Sequence, residues 1–124
     1  MTTREAQVLA KECIPSPFGK NYDTIVDRNV RNTLQLEPQK VSFSNPQWKK
    51  GLEKLLKRIQ EEMKLTGIDV VLKVYKLLLY GPGGHFAMHK DTEKEEGMFA
   101  TLVIQLPSAH TGGALKVEHA GEDV

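Results

Sequence analysis

One cysteine in 124 residues, Cys13, leaves no internal disulfide to form and no zinc-finger spacing to read. An excess of either charge is missing. The 17 Lys and Arg against 16 Asp and Glu leave a formal +1, so no strong field recruits nucleic acid or a membrane surface. Long apolar runs are missing too. The longest, "LLLY" at 77 to 80, follows Lys73 and Lys76 and falls far short of a membrane span. The N-terminus, "MTTREAQVLAKECIPSPFG", carries charges where a signal peptide keeps an apolar core. Neither repeat nor low-complexity segment is visible. A soluble, reducing, intracellular setting, cytoplasmic or nuclear, is the expectation.

What is present is an ordinary globular balance, 40% apolar and 27% charged, in a length that suits one domain with a real core. Residues 4 to 13 read as a short helix, and "PSPFG" at 15 to 19 as a turn. The segment "YDTIVDRNVR" mixes strand-forming residues with charge. A second helix is better marked. Asn45 suits its N-cap and Pro46 its first turn, and Gly67 suits its end. Trp48, Leu52, Leu55, Leu56, Ile59 and Met63 recur at helical spacing along one stripe. Lys50, Lys54, Lys57 and Arg58 form a basic ridge opposite, offset by Glu53, Glu61 and Glu62, and a solvated face explains it most simply.

From residue 68 the period changes. "IDVVLKVYKLLLY" reads as one long strand or two short ones, broken by "GPGG" at 81 to 84. "HFAMHKD" reads as short and extended, "MFATLVIQLP" (98 to 107) as a strand, and "GGALKVEHA" (112 to 120) as another. Consecutive strands without intervening helices favour antiparallel pairing, as in a jelly roll. The fold class expected is therefore α+β.

The chemistry concentrates in "GGHFAMHKDT", 83 to 92. Residues i and i+2 of an extended chain project to one side, so His89 and Asp91 point together. An imidazole nitrogen and a carboxylate oxygen suit iron(II), manganese or zinc. With one more histidine they make the facial triad of non-haem iron oxygenases. The triplet by itself is short enough to recur by chance, and a hydrogen-bonded surface pair is its bland reading.

The order around the triplet says more. Tyr80 ends a strand, a glycine-rich turn follows, then Phe86, His89-x-Asp91-Thr92 and a charged loop, "TLVIQLP" and "GGALKV". Over about 77 to 121 this order resembles the prolyl 4-hydroxylase-like branch of the 2-oxoglutarate- and iron(II)-dependent dioxygenases. The resemblance implies a helix packed on an incomplete double-stranded β-helix, a jelly-roll or cupin-like sheet. Residues 1 to 67 would be a helical and irregular support region, and 68 to 124 the front part of the β-helix core. His89 and Asp91 would be two ligands of Fe(2+), and Tyr80, Thr101 and Gln105 would line the 2-oxoglutarate pocket. Thr101 and Gln105 alternate onto one strand face in that reading; an exposed sheet face is the competing one. Tyr80 held in a core with its hydroxyl satisfied competes likewise.

The implied reaction is hydroxylation by O2, coupled to conversion of 2-oxoglutarate into succinate and CO2, with ascorbate as a family reductant. The substrate would be a protein side chain or a small molecule, left open by the sequence, as is oligomeric state. The pattern also requires a second histidine and an Arg or Lys on later strands. The sequence stops at Val124, so it reads as a partial domain. His119 follows the Gly-Gly-x-Leu strand too directly for the distal ligand. His110 reads as exposed. His85 would share a helical face with His89, but "GPGG" and the missing H-E-x-x-H glutamate oppose that helix. Lys116 points opposite to Leu115 and Val117 and is not read as the co-substrate anchor, and Glu93 reads as part of a solvated loop. "GPGG" is no P-loop, because no Gly-Lys-Ser/Thr follows. Two other classes stay open: a non-enzymatic interaction module derived from the fold, and a hydrolase or isomerase using another metal in a cupin-like barrel.

Overall fold

The computed structural model describes residues 1–20 and 23–123. Asn21 and Tyr22, within the segment 17 to 31, lie outside the described residues, as does Val124. The class is α+β, and the described residues form two α-helices and small antiparallel sheets that do not close. The chain divides into two compact units, residues 1–35 with 78–124, and residues 36–77.

The first unit opens on helix α1 (Thr3–Glu12), close to the span expected. Thr2 caps it. Its hydroxyl accepts from the Glu5 N–H, while the Glu5 carboxylate accepts from the Thr2 N–H at 2.6 Å, a reciprocal capping box. Those Thr2 bonds hold the Glu5 carboxyl below its ordinary range. Strand β1 (Ile14–Pro15) follows, then β2 (Phe18–Lys20) and β3 (Asp23–Ile25), which pair as an antiparallel ribbon. Partial burial pushes the Cys13 thiol pKa up, and Glu12 adds to that, so the thiol is held away from its reactive thiolate.

A turn at 28–30 leads into β4 (Arg31–Asn32) and β5 (Leu34–Leu36). Strand β5 sits between β1 and β6 (Leu77–Leu79) in a three-stranded sheet. Strand β4 pairs with β7 (His85–Phe86) instead, in the register Arg31 opposite Phe86 and Asn32 opposite His85. The buried residues gather here: Ser16, Thr33, Gln35 and Leu36. Three of these four are polar: Thr33 Oγ1 donates to His85 O at 3.4 Å, while Ser16 Oγ is buried without a partner among the described residues. The Ser16 N–H donates to Thr33 O at 2.8 Å, extending the β1–β5 ladder by one bond.

The second unit holds a short 3₁₀ turn (Pro38–Lys40) and helix α2 (Gln47–Glu62). Asn45 caps α2 from just outside it, accepting from the Gln47 N–H at 2.9 Å. Phe43 stacks on Trp48 with ring centroids 4.0 Å apart, fixing the angle at which the chain enters the helix. Gly67 does not end α2. Lys64 does, adopting φ 56, with the Leu65 N–H donating to Gln60 O at 2.7 Å and the Lys64 N–H to Glu61 O. That pair of bonds is the Schellman arrangement, with lysine where glycine is usual. None of the described helices is long and apolar enough to cross a membrane.

The expected long strands are corrected. Of "IDVVLKVYKLLLY" only Leu77–Leu79 is a strand, and Val71 and Tyr75 stand exposed. Residues 98 to 107 carry no regular structure, and of 112 to 120 only Glu118–His119 (β8) does, paired with β9 (Glu122–Asp123). The reason is physical: β-branched composition stabilises a strand only against a neighbour that takes up its backbone hydrogen bonds. A closed jelly roll is accordingly not what the described strands form. Where the sequence suggested a strand over 112 to 120, a two-residue turn with Ala120 at φ 54 and Gly121 at φ 83 makes a tight hairpin between β8 and β9.

Candidate metal centre

The turn that aims the site is "GPGG". The Gly84 N–H donates to Gly81 O at 2.8 Å, closing a four-residue turn with Pro82 second and Gly83 third at φ 71. Proline presets the backbone at the second place and only glycine takes the third without strain, the pattern of a type II turn. A side chain at Gly84 would meet Gly81 O at 2.8 Å and Asn32 O at 3.2 Å, so the turn lies tight against β4.

Past the turn, β7 lies along β4, and the Ala87 N–H donates to Val30 O at 2.8 Å. There the chain leaves the sheet, with a bend at Met88. His89 and Asp91 follow outside any helix or strand. Their side chains converge: His89 Nε2 lies 3.3 Å from Asp91 Oδ1. The other ring nitrogen, Nδ1, lies 2.8 Å from Ala87 O. A carbonyl oxygen can only accept, so Nδ1 carries a proton.

That assignment constrains Nε2. Either it too is protonated and pairs with the carboxylate as an imidazolium, or its lone pair faces another acceptor. In the second case a cation between them is the arrangement that relieves the repulsion. Bonds of about 2.1 Å put neighbouring donors about 3.0 Å apart in an octahedron and about 3.4 Å apart in a tetrahedron. The observed 3.3 Å suits two neighbouring ligands of one metal ion. A histidine that donates one N–H to a carbonyl and offers the other nitrogen is also the usual metal-binding tautomer. The residues present fit a divalent cation as a two-donor site. Both side chains are about half exposed, so the site is open to solvent. Among the described residues no third His, Cys, Asp or Glu joins the pair.

The imidazole face is also held. Phe86 and His89 stack, with centroids 3.6 Å apart and planes 23° from parallel. The Arg31 guanidinium carbon stands 4.2 Å from the Phe86 centroid. Two groups so near one centroid cannot share a ring face, so Phe86 lies between arginine and imidazole. Arg31 Nη1 donates to Pro17 O at 2.9 Å, while its Nε is buried without a partner among the described residues. Leaving such a donor unmade costs about 1–3 kcal/mol, so the guanidinium is placed by its stacking and its Nη1 bond. Nothing in the pattern of "DRNVR" marks Arg31; only the β4–β7 pairing brings it to the site.

The other residues expected at the site are not gathered there. Tyr80 is half exposed beyond β6. Thr101 is exposed in irregular chain, so the alternation that grouped it with Gln105 does not apply. The Gln105 amide nitrogen faces His110 Nε2 at 3.3 Å, and His110 Nδ1 donates to Ser108 O at 2.8 Å. A shallow depression of about 220 Å³ beside the turn is lined by residues including Asn32, Thr33, Leu79 and Pro82, and by none of those three. His119 sits in the β8–β9 hairpin, opposite Glu122.

His85 is engaged elsewhere. Its Nδ1 lies 3.1 Å from Gly83 O and its Nε2 lies 3.0 Å from Asn29 O. The Asn29 carbonyl first, and the Gly83 carbonyl second, raise its pKa by favouring the doubly protonated ring. A ring with both nitrogens turned to carbonyls is a clamp, not a metal ligand. No family model, no curated protein and no solved structure matches the chain.

Proposed function

We propose that the chain is part of a 2-oxoglutarate- and iron(II)-dependent dioxygenase of the prolyl 4-hydroxylase-like kind, a hydroxylase of a protein or small-molecule substrate. The observation that supports this most is the convergence of His89 Nε2 and Asp91 Oδ1 with Nδ1 tied to Ala87 O. The motif order from Tyr80 to Leu115 supports it from the sequence. The reading carries with it the double-stranded β-helix fold, of which the described residues form only small, separate antiparallel sheets.

In this reading His89 and Asp91 hold Fe(2+), His89 as a neutral imidazole and Asp91 as a carboxylate. When bound, iron(II) with 2-oxoglutarate and O2 supplies the oxidising power for hydroxylation, with succinate and CO2 as products. The chain's own part is placement. The Ala87 carbonyl keeps the Nδ1 proton, so Nε2 stays free to ligate, and the Gly81–Gly84 turn sets where the imidazole emerges. The resemblance assigns the co-substrate role to Tyr80, Thr101 and Gln105, which the structure does not gather beside His89 and Asp91. The distal histidine and the cationic anchor are assigned to no described residue.

Anaerobic titration with iron(II), then 2-oxoglutarate, tests the reading. The expected result is saturable iron binding that broadens the His89 ring resonances, a weak visible charge-transfer band with co-substrate, and loss of both in Asp91→Ala. Equal iron binding by wild type and Asp91→Ala would refute it. An interaction module is the second reading, favoured by exposed apolar side chains along Phe99, Val103 and Leu115. It expects no iron dependence at all.

A further inference from the structure

We infer that Arg31 is a positioning residue for this metal site, holding the plane of the His89 imidazole through the Phe86 ring; the inference rests on the proposed metal-binding reading. Three contacts compose the device. Arg31 stands opposite Phe86 in the β4–β7 register, with its guanidinium carbon 4.2 Å from the ring centroid. His89 covers the other face of that ring at 3.6 Å. Arg31 Nη1 is anchored by Pro17 O at 2.9 Å, on the segment between β1 and β2. The imidazole is thus fixed on one face by Phe86 and at one edge by Ala87 O, which leaves Nε2 as the edge turned to Asp91 Oδ1.

The chemistry asks for arginine. A guanidinium is flat, so it stacks on an aromatic face while its edge donors bond in their own plane. An ammonium is a point charge and cannot do both. With Phe86 pressed from behind, the imidazole loses its freedom to rotate out of line with Ala87 O. The Nδ1–H tautomer is then retained, and with it the lone pair on Nε2. Partners of this kind behind a metal ligand are typically worth about 10–100-fold in metal affinity.

Long-range ¹H–¹⁵N spectra of the His89 ring in metal-free protein, and Mn(II) titration followed by broadening of the same signals, test this. The variants are Arg31→Met, Phe86→Leu and Phe86→Tyr. The expected result is an Nδ1–H tautomer in wild type and Phe86→Tyr, and a mixture of tautomers in the other two. Manganese affinity should fall about 10-fold in those two, while Ala87 amide exchange stays protected. An unchanged tautomer in both Arg31→Met and Phe86→Leu would overturn the inference. So would loss of Ala87 protection in step with the tautomer change, because the effect would then be strand pairing. If wild type binds no Mn(II), the metal reading fails, while the tautomer comparison still decides whether Arg31 orients the ring.

Discussion

His85 Nε2 lies 3.0 Å from the carbonyl oxygen of Asn29, a residue 56 positions earlier in the chain. Because Nδ1 of the same ring faces Gly83 O at 3.1 Å, one imidazole joins the 28–30 turn to the glycine turn. A neutral ring has one N–H and can serve only one of these carbonyls.

Stability should therefore depend on pH through His85. Its folded pKa is raised by the Asn29 and Gly83 carbonyls. The stabilisation is then complete below the unfolded value of about 6.5 and is lost as pH rises through the higher folded value. In urea unfolding at pH 6 and pH 8, wild type should lose more stability between the two than His85→Gln does. Parallel losses in both proteins would show that the clamp carries no proton linkage.

Two glycines of one turn should respond in opposite ways. A methyl group at Gly84 would sit 2.8 Å from Gly81 O and 3.1 Å from Gly81 N, both backbone atoms that cannot swing aside. Gly84→Ala should lower unfolding stability by about 1–3 kcal/mol and loosen the lead-in to His89. At Gly81 nothing lies within 4 Å of the added methyl group, and φ is not positive. Gly81→Ala should be close to neutral. Denaturation midpoints of the two variants decide it, and an equal response would mean the turn is not tight against β4.

Lys64 invites the reverse change. At φ 56 its side chain crowds its own backbone, a conformation costing a non-glycine residue about 1–2 kcal/mol. Replacement by glycine removes that strain but adds freedom to the unfolded chain, so Lys64→Gly should gain roughly 0.5–1 kcal/mol. The single Trp48 at the other end of α2 reports the transition by fluorescence. A lower midpoint in Lys64→Gly would show that the lysine side chain contributes something the backbone geometry does not.

Much of the local structure was legible from residue order. Helix α1 and the apolar stripe of α2 follow from spacing and caps, and the glycine turn follows from "GPGG". Errors came where a local signal had two bearers. Gly67 looked like the end of α2, yet Lys64 takes the left-handed place, because the hydrogen bonds of the last turn close three residues earlier. The segment 98 to 107 looked like a strand from its β-branched residues, yet no such strand forms there. Thr101 and Gln105 lost their shared face with it.

Sequence by itself determined what depends on neighbours along the chain: the two helices and the turn ahead of β7. Helical bonds, caps and turn residues act within a few residues, so composition and spacing encode them. Only the tertiary structure decided which strands found partners and what stands behind the imidazole. Arg31 reaches Phe86, and Asn29 reaches His85, through backbone pairing between segments far apart in sequence. Such pairing is chosen by the summed hydrogen bonds and burial of both segments together, and neither segment alone carries that information.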